Sequence, residues 1–181
     1  MQANARIHEA PTLETERLIL RGHRVDDFDD SAAMWGDPGV TRFIGGRPFT
    51  SEECWSRLLR YAGHWRLLGF GYWAVIERGT GRFVGEVGFG DFRREIEPSF
   101  HGAPEAGWVL TPGAAGRGYA TEAVKAALAW GDSVFDQPRT VCMITPENTA
   151  SIRVAEKCGY RPAAPAVYKG AEVAVYERFR P

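Results

Sequence analysis

The sequence predicts an α/β fold in one domain: a mixed, mostly antiparallel central sheet with helices on both faces. Three observations carry this. Strand and helix patterns alternate along the chain in the order β-α-α-β-β-β-α-β-α-β. The tetrapeptide Arg78-Gly79-Thr80-Gly81 between two apolar runs is hairpin chemistry, which forces antiparallel pairing. The strand–helix–strand stretch around Tyr119 needs a crossover between parallel neighbours.

Each element has its own warrant. Arg17 to Arg21 (RLILR) reads as a short strand. Val25 to Trp35 reads as a helix with Val25, Phe28, Ala32 and Trp35 on one stripe. Gly36 to Pro48 is a Gly/Pro-rich loop. Thr50 and Glu53 have capping-box spacing at the head of a helix to Leu68, with Trp55, Leu58, Leu59 and Ala62 on its apolar face. Gly71 to Glu77 and Arg82 to Gly90 are the hairpin strands, followed by a charged loop, Asp91 to Ala103. Glu105 to Leu110 (EAGWVL) is a strand stopped by Pro112. The glycine-rich turn Gly113 to Gly118 then leads into a helix, Tyr119 to Phe135, with Ala120, Val124, Ala127, Leu128 and Val134 inward. Thr140 to Thr145 is a strand, Asn148 to Lys157 a helix with Gly159 as left-handed cap, and Val173 to Phe179 a closing strand.

Composition bounds the function. The 181 residues are 44% apolar and 25% charged, the balance of an ordinary globular chain. Residues 1–12 read as a flexible leader without the apolar core of a secretory signal, and 13–181 as the domain. No apolar run reaches the roughly 18 residues of a membrane span. The net charge of −1, with both signs interspersed, offers no basic face for nucleic acid. Cys54, Cys142 and Cys158 are far apart and form no CxxC, so neither a metal site nor a disulfide framework is signalled; reduced thiols in a cytoplasm are expected. No motif speaks to oligomeric state, and a monomer or a homodimer both fit.

The stretch Leu110-Thr-Pro-Gly-Ala-Ala-Gly-Arg-Gly-Tyr-Ala-Thr-Glu is the most informative. Gly116 and Gly118 sit between a strand and a helix, where glycine permits a tight turn and unpaired helix N–H groups favour an anion such as a diphosphate. Arg117 adds a positive charge there. Two known phosphate motifs fail: Tyr119 replaces the lysine of a P-loop, and Thr121 stands at the third glycine of a dinucleotide fingerprint. From spacing alone, a phosphate cradle and a plain tight turn remain equal readings.

The strand EAGWVL, the turn AGRGYATEA and the helix start NTASIRVAEKCGY together resemble GNAT-superfamily N-acetyltransferases. The resemblance is to the branch that includes the ribosomal-protein N-terminal (RimJ/RimL-like) acetyltransferases, and the opening LETERLILR and the hairpin end FVGEVGF share it, so it runs from Leu13 to Phe179. One departure is visible: Ala115 stands where the superfamily's turn begins with Gln or Arg. The resemblance implies a splayed parallel strand pair, Glu105–Leu110 and Thr140–Thr145, that admits acetyl-CoA. It implies pantetheine pairing at Trp108, Val109 and Leu110, and diphosphate on Gly116, Arg117, Gly118, Tyr119, Ala120 and Thr121. Asn148 would touch the pantetheine, and Ser151 would lie near the sulfur to meet the departing thiolate. Ala155 stands where many relatives carry a catalytic tyrosine.

The implied reaction is direct transfer of acetyl to a primary amine, of a protein N-terminus or a small molecule, through a tetrahedral intermediate, with no metal. Such transfer needs a neutral amine, donors for the oxyanion (an N–H near Val109 is the candidate) and a proton for the thiolate. Glu105, acting through water, is the first candidate base; Glu86, a charge in mid-strand, is the second, with an orienting role equally open. His8, His23, His64 and His101 stand singly and read as surface or capping residues. Trp35, Phe43 and Phe49 flank the Gly36–Pro48 loop and are candidate walls of an acceptor pocket. A non-catalytic acyl-CoA sensor or scaffold would share the cleft without turnover. A nucleotide-binding domain of another kind would prefer ATP or NAD.

Overall fold

Thr50 and Glu53 do form a reciprocal capping box, and Gly118, Gly69 and Gly159 all take left-handed backbone at helix ends (φ +80°, +78° and +88°). Around these signals the computed structural model, which describes residues 8–181, has fifteen strands and α-helices. They are β1 (Leu13–Glu14), β2 (Leu18–Arg21), α1 (Phe28–Trp35), α2 (Pro38–Thr41), α3 (Ser51–Leu68), β3 (Tyr72–Glu77), β4 (Phe83–Gly90) and β5 (Ile96–Glu97). They continue with β6 (Glu105–Leu110), α4 (Tyr119–Val134), β7 (Arg139–Ile144), α5 (Thr149–Lys157), β8 (Arg161–Pro162), β9 (Ala166–Tyr168) and β10 (Ala171–Phe179). The sheet runs β1-β2-β3-β4-β6-β7-β10-β9-β5, with β8 beside β10.

Every pairing is antiparallel except β6 with β7, as the crossover requires. That parallel pair is joined at a single position, Glu105 opposite Val141, although each strand has six residues. Beyond that bridge the strands part. On one face α4 and α5 pack Ala123, Val124, Ala127, Leu128 and Ala155 against Leu20, Val75, Val87, Phe89 and Ala106. On the other, α1 and α3 pack Met34, Trp35 and Cys54 against Ala74, Ile76 and Phe83. Each large apolar side chain so buried stabilises the fold by about 1.5–3 kcal/mol.

Several expectations need correction. On α3 the buried stripe is Cys54, Leu58, Tyr61, His64 and Trp65; Trp55, Leu59 and Ala62 face outward. The inward stripe also carries polar groups that find partners: Tyr61 OH donates to Glu86 Oε2 (3.0 Å) and Trp65 Nε1 to the Tyr72 carbonyl (2.9 Å). Val25 is 67% exposed, while Asp27 turns in to a bidentate pair with Arg21. The Gly36–Pro48 segment contains α2, capped by Asp37, and the Asp91–Ala103 loop contains β5. Of the expected leader, residues 1–7 lie outside the described residues; Ala10 packs on the core and the Pro11 carbonyl accepts from Trp73 Nε1 (2.8 Å). Cys54, Cys142 and Cys158 are free and buried. Among the described residues no helix is long and apolar enough to cross a membrane, and no metal-ligating cluster occurs.

Candidate active site

The parting of β6 and β7 exposes main-chain groups inside the sheet. Pro104 O accepts from Val141 N (3.1 Å) on the β7 side, and Thr111 N donates to Val84 O (3.0 Å) on the β4 side. The β4–β6 register between them is unbroken, so strand alternation turns the N–H and C=O of Ala106, Trp108 and Leu110 toward β7. Val109, expected to face the cleft with its neighbours, instead turns its main chain to β4, opposite Glu86. The indole Nε1 of Trp108 is buried without an acceptor. At the open end, Thr145 Oγ1 donates to Phe43 O (3.1 Å), which brings the loop around α2 to the mouth of the cleft.

At the same end the chain leaves β6, turns through Pro112–Ala114 and enters α4. Gly116 and Gly118 both have positive φ (+75° and +80°). A Cβ at Gly116 would meet nothing within 4 Å and one at Gly118 only Arg17 Nη2 at 3.5 Å, so glycine is required here by backbone conformation, not by crowding. Among the described residues no N–H from Gly116 to Thr121 has an acceptor, whereas Ala114, Ala115 and Glu122 on either side do. The result is a row of free donors at the positive end of a sixteen-residue helix.

The side chains of this turn are locked away from that row. Arg117 pairs with Glu77 Oε1 (2.9 Å), the same oxygen that accepts from Tyr119 OH. The Tyr119 hydroxyl, the Thr80 hydroxyl and the two arginines Arg117 and Arg82 pull Glu77 down to about 2. Arg17 bonds Glu122 and the Arg117 carbonyl (2.9 Å). Arg117 is therefore a latch on the turn as well as a charge near it.

The candidate residues for chemistry fall on different faces. Asn148 Oδ1 caps α5 by accepting from Ser151 N (3.2 Å). The Ser151 hydroxyl has no partner among the described residues, so it is not spent on the helix backbone. Glu105 and Glu86 lie on the opposite face, under α1 and α3. Glu105 is held by Arg94 through both oxygens (2.6 and 2.8 Å), and Arg94 also reaches the Tyr168 hydroxyl (3.0 Å). Glu86 is 0% exposed and accepts from Ser31, Trp35 and Tyr61, contacts that tie α1 and α3 to the sheet. Burial pushes its carboxyl up, but His23 and the hydrogen bonds from Ser31 and Trp35 outweigh burial and hold it below the usual range.

Sequence reasoning missed His23 and His64. The His23 side chain is 2% exposed with Nε2 at 3.5 Å from Glu86 and its ring against Tyr61, and His64 is buried beside Phe92. A mid-strand glutamate that must be buried was the available signal for a buried polar partner. Trp35 stacks on Phe49 (5.2 Å), with Arg57 over both rings.

A sheet opened between parallel strands, with a row of free amides at the head of the following helix, defines a class of acyl-carrier transferases, and the comparisons agree. Residues 17–161 match the acetyltransferase (GNAT) domain family, and the chain belongs to that family. It is 29% identical over 151 residues to the uncharacterized N-acetyltransferase p20 of Bacillus licheniformis, covering 83% of this chain and 82% of that one. A GNAT-family acetyltransferase structure from Bordetella pertussis is 33% identical, with a TM-score of 0.81 over 93% of this chain and 99% of that one. RimL, a ribosomal L7/L12 alpha-N-protein acetyltransferase solved with coenzyme A, shares the fold at 16% identity, with a TM-score of 0.76 over 94% and 98% of the two chains. The protein is thus an acetyltransferase of the GNAT fold.

Proposed function

We propose that the protein transfers acetyl from acetyl-CoA directly to a primary amine, of a protein N-terminus or of a small molecule. The observation that carries this is the row of partnerless N–H groups from Gly116 to Thr121 beside the parted strands. A diphosphate fits that row, since several converging donors and a helix terminus suit two linked anions. Gly116, Arg117, Gly118, Tyr119, Ala120 and Thr121 supply it through main chain, so the absence of a polar side chain at Ala115 matters little. The pantetheine amides then lie along Trp108 and Leu110, as a strand added to the free edge of β6; Val109 shapes the wall. The orphaned Trp108 indole N–H is a further donor on that path. Asn148 fixes the first turn of α5 and so places Ser151.

In this reading the neutral amine attacks the thioester carbonyl, and the N–H of Trp108, the first to face the gap beyond the Glu105–Val141 bridge, is the donor available to the developing oxyanion. Ser151 donates to the departing sulfur. Glu105, oriented by Arg94, takes the amine's proton through a water, since both of its oxygens already accept from Arg94.

The test is release of free thiol from acetyl-CoA with a panel of N-terminal peptides, polyamines and aminoglycosides. Tight CoA binding without turnover on any acceptor would replace this reading by the sensor or scaffold. ATP or NAD displacing CoA would replace it by a nucleotide-binding domain.

A further inference from the structure

The ring of Tyr72 packs against Tyr61 and Phe92, but its hydroxyl bonds to nothing in the fold. Tyr72 pairs with Gly88 on β4, which pairs with Gly107 on β6. The two glycines leave a bare track across the sheet, and the tyrosine lies along it: a methyl group on Gly107 would overlap the Tyr72 hydroxyl. The side chain therefore ends on β6 two residues past the Glu105–Val141 bridge, where the strands part. Its ring is fixed by stacking on Tyr61 (4.6 Å, 13° between planes), whose own hydroxyl is tied to Glu86. The residue is 7% exposed; its hydroxyl makes no hydrogen bond among the described residues and is not one of their buried unpartnered polar atoms, so the hydroxyl tip keeps exposed surface at the cleft. Burial, together with Glu105 nearby, pushes this hydroxyl well above the usual tyrosine range, so it stays neutral and able both to give and to accept a hydrogen bond.

Strand alternation places Tyr72, Gly107 and Glu105 on the α1/α3 face, whereas Trp108, Leu110 and Ser151 belong with the α4/α5 face. A nucleophile reaches a carbonyl carbon perpendicular to the acyl plane. Either face of the acyl plane satisfies that geometry, and the α1/α3 face is the one that carries both the Tyr72 hydroxyl and Glu105, the candidate base.

We infer that Tyr72 is a positioning residue for the acceptor: its hydroxyl, standing on Gly107 at the point where β6 leaves β7, holds the incoming amine by a hydrogen bond over the acetyl carbon. This rests on the acetyl-CoA reading of the cleft. In the step it serves, the C–N bond forms and the C–S bond breaks. The amine gives up one proton, and the sulfur leaves as thiolate and takes one up.

Tyr72→Phe removes only that hydroxyl. Because nothing in the fold bonds to it, the variant is expected to melt at the wild-type temperature and to keep its CoA Kd within twofold. With an alanine-initiated hexapeptide and spermidine as acceptors, kcat/KM for the amine is expected to fall about 10- to 100-fold, with KM for acetyl-CoA unchanged. A purely structural tyrosine would shift melting and leave those constants alone; unchanged kcat/KM overturns the role. A crystal structure with a non-hydrolysable ketone analogue of acetyl-CoA decides independently of any acceptor. The role predicts room for one amine nitrogen between the Tyr72 hydroxyl and the carbonyl carbon, the two lying roughly 4–5 Å apart. A diphosphate seated on Gly116–Thr121 with that carbon beyond about 8 Å overturns the role and leaves the acetyl-CoA reading standing; a diphosphate bound elsewhere overturns both.

Discussion

Replacing Gly118 by alanine separates the two reasons a phosphate-binding turn uses glycine. The added methyl would meet only Arg17 Nη2 at 3.5 Å, an ordinary contact, so crowding contributes nothing. The backbone, however, sits at φ +80°, ψ 1°, where an L-residue is disfavoured by about 1–2 kcal/mol. For a domain of this size that lowers melting by roughly 2–8 °C. If the chain escapes the strain by rotating out of the left-handed region, the N–H groups of Gly118 and Tyr119 cease to converge with their neighbours. One lost hydrogen bond to a charged phosphate is worth about 1.5–3 kcal/mol, or roughly a 10- to 150-fold weaker CoA Kd. Gly118→Asn, which tolerates the left-handed region, is expected to recover most of the affinity. Gly113→Ala, at a position without positive φ and with nothing within 4 Å of the new atom, is expected to bind as wild type. Calorimetric titration with CoA and thermal melts read all three. Gly118→Ala binding CoA within twofold of wild type would refute the reasoning, because the row of amides would then not depend on the turn's geometry.

Ser151→Ala is expected to lower kcat at least tenfold while CoA affinity changes less than threefold, since the hydroxyl has no fold partner to lose; equal kcat removes it from the leaving-group role. Asn148→Ala is expected to cost about 0.5–2 kcal/mol through the lost cap of α5, read by urea denaturation, and to lower turnover through Ser151. Glu86→Leu strands three buried donors, Ser31, Trp35 and Tyr61, and is expected to cost at least about 3 kcal/mol in the same assay; a variant as stable as wild type would show that Glu86 is not the anchor of the α1/α3 face. Glu77 is held down to about 2 from an ordinary 4.5, so its contribution to stability is complete above about pH 4.5 and drains away as pH falls toward 2. Glu77→Gln is expected to flatten that acid limb, measured by melting temperature from pH 2 to 7.

Much of this was written in local chemistry. The Thr50/Glu53 box, the hairpin glycines and the crossover around Tyr119 act over a few residues, and the structure repeats them. The apolar face of α3 was not readable in the same way. Trp55, Leu58, Leu59 and Ala62 make one helical stripe and Cys54, Leu58, Tyr61 and Trp65 another, and the choice falls to the second because the buried carboxylate of Glu86 needs the Tyr61 hydroxyl. Short strands such as β5 and β9 are sustained by each other and by Tyr168 meeting Arg94, a relation with no signature in either segment. In the cleft the stretch Trp108–Leu110 was legible as a unit, but which of its amides face the gap follows from pairing with β4, a partner many residues away. His23 lies 63 residues from Glu86 in the chain, beyond the reach of any spacing rule.

The single bridge between β6 and β7 reverses the usual pattern of protection in a sheet. Central strands normally exchange their amide protons slowest, while edges and ends exchange first. Here the N–H groups of Trp108 and Leu110 look onto a fissure at the sheet's centre, so in the ligand-free protein these interior amides should exchange with deuterium nearly as fast as a frayed terminus. Filling the fissure would turn the same positions into the slowest-exchanging ones, and the protein would carry in its middle an isotopic gauge of its own occupancy.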